Sequence, residues 1–277
     1  MKFKILIIAF SIIIILVVAA VIMLQLIFTG TEVMSTFRLL TLPMLIFMVV
    51  LLIGMGIFFF FNYRLLSLLE REDWPALVYY LEQKCFTKGN YSNKNVRLLA
   101  SSYLVLTDYV SVLKLENKTM LENPPVVGKN LLLFGTARIL SGNYTEAAAF
   151  YKLYLDKGKL NRKDKPWTRF FYGFSLLLSG AFKLTQPEFA SLTASSNDGI
   201  ITGLTAYFLN KTIAKHSDNP VECLAASENG RNRVLNVIKK SASWKKEVAK
   251  LGSDIHIAVI RRYIDETGVW LYAAASE

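Results

Sequence analysis

Hydrophobic positions follow two regimes along the chain. Up to about residue 63 they are nearly continuous, and beyond it they recur at intervals of three and four. From residue 5 to residue 28 no side chain is charged, and only Ser11 and Gln25 are polar. As a helix that run extends roughly 36 Å at the usual rise, enough to cross a hydrocarbon core of ~30 Å. A second uncharged run, residues 39–61, is interrupted only by Thr41 and Pro43, and Gly54 and Gly56 lie mid-span, where a partner helix can approach closely. Pro43 falls in the first turn of that run, where a missing N–H costs least. Ten residues, 29–38, join the two. The pattern predicts a transmembrane hairpin over residues 1–63. An uncleaved anchor is favoured over a signal peptide, because the first run exceeds an ordinary h-region and no A-x-A site follows it.

The cations set an expected orientation. Lys2 and Lys4 precede the first run, Arg38 alone (against Glu32) lies in the connection, and Arg64 and Arg71 follow the second run. Both ends are therefore expected on the cytoplasmic side of the cell inner membrane, with the short loop outside. The N-x-[ST] triplets at Asn90, Asn117, Asn143 and Asn210 then play no part in glycosylation.

Beyond residue 63 strand-like alternation and hairpin dipeptides are missing, and the period is helical. One register recurs. Gly142-Asn143-Tyr144-Thr145-Glu146-Ala147 opens a turn and a helix in which Ala147 and Tyr151 share a face, and Gly135 stands seven residues before the turn. Gly173 and Gly180 repeat the spacing, followed by Phe182, and Ser101 and Asp108 hold it upstream. Glu72-Asp73-Trp74-Pro75-Ala76 reads as an earlier turn. Turn positions 72, 108, 142 and 180 are thus 36, 34 and 38 residues apart.

These residues resemble the tetratricopeptide (TPR) repeat, whose period is about 34. The unit around Gly135 carries the specific likeness, and the array covers residues 64–195. Two antiparallel helices pack closely where a small residue sits at their crossing and an aromatic ring fills the groove. Pro187 is expected to cut short the helix after Gly180, and Asn123-Pro124-Pro125 to break the chain between two units. The resemblance implies a groove lined by the first helices, which places Arg97, Asn130, Arg138 and Arg169 near an inner face that takes a protein partner. Two spans followed by such repeats also resemble, in layout, the HemY-type membrane proteins.

Residues 196–277 read as an irregular helical cap, with helices over 200–215, 221–240, 243–251 and 254–265. The fold class expected is therefore all-α: a two-helix transmembrane hairpin, a TPR-like repeat domain and a helical cap. Among the aromatic side chains, Tyr79, Tyr80, Phe150, Tyr151, Tyr154, Phe170, Phe171, Tyr172 and Phe174 are expected mostly in the core.

The chain carries a net charge of +11, and the 214 residues past the hairpin keep +9 of it. Between Arg231 and Arg262 stand nine cations and two anions. A basic surface of this kind suits anionic lipid. Nucleic acid ranks below lipid, because Trp244 is the lone aromatic interleaved in the 231–250 stretch. Two cysteines, Cys85 and Cys223, exclude a disulfide scaffold. No phosphate-binding glycine loop occurs. Asp254 and His256, two apart on a helix, point away from one another, and Asp265-Glu266 stands alone. No catalytic, cofactor-binding or metal-ligating set is expected. The reading is a membrane-anchored, non-catalytic scaffold that docks protein partners. Its alternatives are a structural component of a large membrane-attached machine, and an enzyme subunit or HemY-like organiser of a membrane enzyme assembly.

Overall fold

In the computed structural model, residues 33–273 are described except 159, 163 and 253, together with residues 12, 15–17, 19, 20 and 23. The first expected span therefore lies almost wholly outside the described residues. Thirteen α-helices follow, and the described residues contain no strand. They are α1 (Val33–Glu70), α2 (Trp74–Glu82), α3 (Asn93–Val105), α4 (Tyr109–Glu122), α5 (Pro124–Lys129), α6 (Leu131–Leu140), α7 (Tyr144–Asp156), α8 (Asp164–Leu178), α9 (Phe182–Ser195), α10 (Gly199–Lys211), α11 (Pro220–Val237), α12 (Ser241–Lys250) and α13 (Ile255–Tyr272). The chain divides into two compact units, Met1–Tyr80 and Leu81–Glu277.

In the first unit, α1 includes a stretch, Ile46–Glu70, long and apolar enough to cross a membrane. Large apolar side chains are exposed along it, Phe47, Val50, Ile53, Phe60 and Phe61 among them. The helix begins at Val33, inside the expected connection, so Pro43 lies within it rather than in its first turn. A run of apolar residues carries no internal mark of where a helix starts.

Four turns share one geometry. Glu72, Thr107, Gly142 and Gly180 each take a left-handed backbone, with φ of 53°, 58°, 80° and 78°. At each, the N–H of the left-handed residue reaches the carbonyl three before it, and the next N–H reaches five back: Asp73 to Leu68, Asp108 to Tyr103, Asn143 to Arg138 and Ala181 to Leu176. This double bond closes a helix by satisfying its last carbonyls. The second turn is centred on Thr107 rather than Asp108, so the intervals become 35, 35 and 38 residues. Asp108 instead caps the next helix by accepting from the Ser111 N–H, as Asp73 accepts from Ala76.

Within the second unit, α3 packs on α4, α6 on α7, α8 on α9 and α10 on α11, and each pair meets the next. A Cβ added at Gly135 on α6 would lie 2.1 Å from the Tyr151 ring of α7, and one at Gly173 on α8 would lie 2.4 Å from the Phe189 ring of α9. Both rings are fully buried. One expectation about proline is corrected. Pro187 lies inside α9, which runs on to Ser195, because its fixed φ suits a helix and only one intrahelical bond is lost. The expected break at Asn123-Pro124-Pro125 is present: α4 ends at Glu122, Asn123 is non-helical, and Pro124 and Pro125 open the short helix α5, where their missing N–H groups were unpaired in any case.

Residues 196–277 do more than close an end. Gly230 on α11 meets Thr193 of α9 and Ala206 of α10, a further close crossing. Trp244 of α12 is wedged against Gly203 and Gly268. Helix α13 buries Ile257, Ile260, Ile264, Thr267 and Leu271, a stripe at helical spacing. It lies across the first helices of the pairs, touching α6 and α10. Aromatic rings join it to them: Phe174 and Phe208 meet Tyr263 at 5.6 and 5.1 Å, and Phe189 stacks between Phe170 and Phe208 at 5.9 and 5.8 Å.

Candidate interaction site

The inner face, formed by the first helix of each pair, is covered by α13 over α6, α8 and α10. His256 enters the aromatic cluster between Trp167 and Phe171, at 6.4 and 5.9 Å from their rings. Burial holds its imidazole below the ordinary value, against the pull of Asp254 and Asp164 and with a smaller push from Arg97 in the same direction. Asp254, the residue just before α13, pairs with Arg97 of α3 at 2.9 Å.

The four residues expected on the groove are thereby placed. Arg97 holds the start of α13. Asn130 is buried and donates to Asn93 Oδ1 and to the Val126 carbonyl. Arg138 is turned toward α4, where both terminal nitrogens reach Glu116 at 2.6 and 3.2 Å, and its guanidinium lies 4.2 Å from the Phe150 ring centroid. Arg169 bonds Glu188 and Ser191 of α9. Arg169 also lines an open space. The structure does not bring the set together.

That space is a cleft of about 950 Å³ at the edge of the covered face. It is bounded by Arg162, Lys165, Trp167 and Arg169 at the start of α8, by the Asp198 turn, and by Glu247, Lys250, Asp254 and His256 on α12 and α13. Its size suits a peptide segment or a sizeable small molecule. Most of its charges are spoken for: Lys250 pairs with Glu247, and Asp198 caps α10 by accepting from Ile200 and Ile201. Arg162 and Lys165 make no ion pair among the described residues. No spacing in the chain signals this cleft, since its walls come from segments nearly a hundred residues apart.

The chemistry-bearing residues weighed from sequence are otherwise structural. Burial raises the Cys85 thiol to about 11, outweighing Lys84 beside it, and Cys223 is buried as well. Arg262 pairs with Glu266 at 2.7 Å, one helical turn on, and Arg261 with Asp265. Among the described residues no group of three potential metal ligands occurs.

Comparison with known proteins adds a lineage. A protein of Treponema pallidum (strain Nichols), described as an uncharacterized protein, is 30% identical over 152 residues, which is 55% of this chain and 48% of that relative. The chain thus spans about half the length of the relative it matches. No solved structure matches it. A family model matches residues 111–273, from within α4 to just past the end of α13, and the chain belongs to the family described as "Uncharacterised Treponema protein".

Proposed function

We propose that this protein is a membrane-anchored, TPR-like helical scaffold that docks protein partners and performs no reaction itself. The observation that carries the reading is the repeated unit: left-handed turns at 72, 107, 142 and 180, with ring-filled glycine crossings at two of the helix pairs between them. Such stacked pairs build surfaces rather than reaction centres. The apolar stretch of α1 supports the anchor, and Lys2 and Lys4, with Arg64 and Arg71, support an array on the cytoplasmic side of the inner membrane.

With α13 lying over the inner face, the docking position we favour is the cleft beside it. Arg162 and Lys165 offer cations there that make no ion pair among the described residues, and Trp167 a partly exposed ring. Those groups suit an extended acidic segment of a partner protein. A photo-crosslinking residue at position 165 in the full chain, expressed in its native host, tests the reading. One stoichiometric partner should be captured, and Arg162→Glu should abolish the capture. Crosslinks only to copies of the chain itself would instead favour a structural component. Catalytic activity recovered from the isolated chain would contradict the scaffold reading.

A further inference from the structure

The stretch 231–262 is uniformly basic in sequence but not in space. Arg231 turns inward to the Leu271 carbonyl and lies over the Trp270 ring. Arg233 closes the end of α9 by donating to the carbonyls of Thr193, Ala194 and Ser196, where a helix terminus favours a cation. Arg261 and Arg262 are paired along α13, and Lys250 is paired with Glu247.

Four cations are left over. Lys239 and Lys240 stand in the elbow between α11 and α12, and Lys245 and Lys246 follow on α12, all exposed and without an ion pair among the described residues. Between Lys240 and Lys245 lie the small exposed Ser241, Ala242 and Ser243 and the buried Trp244. Glu247, the lone acid of the elbow, is already neutralised by Lys250. Two residues before Lys239, at the end of α11 and on the rim of the cleft, Val237 is 82% exposed.

We infer that this elbow is a docking surface for anionic phospholipid headgroups, with the exposed Val237 at its start entering the interface. The charge matches a surface of lipid phosphates, and each lysine near such a surface strengthens association by roughly five-fold. An exposed apolar residue next to lysines in the chain is the composition of an interfacial contact. A nucleic-acid strand would need exposed rings for stacking, and Trp244, the aromatic of the elbow, is 3% exposed beneath the lysines. The inference narrows the membrane reading above to particular side chains, and it rests on that reading for the nearness of a bilayer.

The test uses the full chain carrying Val237→Cys and a spin label there; Cys85 and Cys223 are buried and do not compete. The chain is reconstituted into vesicles of phosphatidylcholine alone or with phosphatidylglycerol added. In the anionic vesicles the label should shift from contact with a water-soluble relaxing agent to contact with oxygen in the lipid. The shift should be lost in high salt, and weakened ~10-fold or more by Lys239→Glu, Lys240→Glu, Lys245→Glu and Lys246→Glu together. These positions are exposed, and an unchanged thermal melt confirms the fold of the variant. A label equally water-exposed in both vesicle types overturns the inference, as does one that responds to an added single-stranded oligonucleotide and not to lipid charge. Flotation with vesicles in high salt reports the anchor alone, so loss of anchoring is read separately from loss of the elbow contact.

Discussion

The pairs α6–α7 and α8–α9 and the stretch α10–α13 solve the same packing problem in opposite ways. In the two pairs the glycine stands on the first helix and the ring comes from the second, a helix and a turn away in sequence: Gly135 with Tyr151, Gly173 with Phe189. In α10–α13 the glycines are divided between helices, and one ring, Trp244, fills the space between Gly203 and Gly268 from a helix of its own. The first arrangement is local and repeats. The second is assembled from distant segments and occurs once, which is why only the first can be found as a periodicity.

Removing the ring at each place breaks the comparison most strongly. Phe189→Ala and Trp244→Ala should each cost about 3–5 kcal/mol, the usual range for a large buried aromatic side chain. Their footprints should differ. By native-state hydrogen exchange, the first should loosen α8, α9 and α10 together, and the second α12 and α13 while sparing α6 and α7. Equal footprints would mean that the two regions do not differ as described.

Gly135→Ala is the next largest test. The new methyl would meet a ring that has no room to withdraw, and such overpacking costs about 1–3 kcal/mol. Pairing it with Tyr151→Leu should give a loss smaller than the sum of the two single losses, because both changes act on one contact. Denaturant titration of the four chains measures the coupling.

Thr107→Gly should act in the other direction. A β-branched residue in the left-handed region is strained where Gly142 and Gly180 are not, so glycine there should add about 1 kcal/mol, read as a higher denaturation midpoint.

The smallest effect is a pH dependence. The His256 imidazole titrates below 6.5 in the fold because it is buried, so the unfolded chain takes its proton first. Stability from this residue is complete above about 6.5 and is lost as pH falls from there through the folded value. Thermal melts on either side of that pH should show a drop on acidification, and the part due to this ring should vanish in His256→Phe.

Much of the array was legible in the chain because its determinants are close together. The turns at 72, 142 and 180 and the glycine–ring offsets lie within about one repeat length. The second turn slipped by one residue because Asp108 is a strong helix cap, and the left-handed residue ahead of it, Thr107, is not of a type that marks itself. The inner face was misjudged for a different reason. Arg97 meets Asp254 157 residues away, Arg138 reaches across to Glu116 on another helix as well as to the Phe134 carbonyl on its own, and no spacing rule finds such distant partners. α13 announced its helix but not its destination: the isoleucine stripe would suit any apolar surface. The nine cations of 231–262 likewise looked equivalent until their partners separated five satisfied side chains from four lysines.

The claim on which the docking position depends is that α13 belongs to the fold and covers the inner face. Hydrogen exchange of the full chain in detergent measures this directly. The amides of α13 from Ile257 to Leu271 should be protected to the same degree as those of α8 and α10, the helices beneath it. Exchange of α13 orders of magnitude faster than theirs would leave the inner face open and contradict the account.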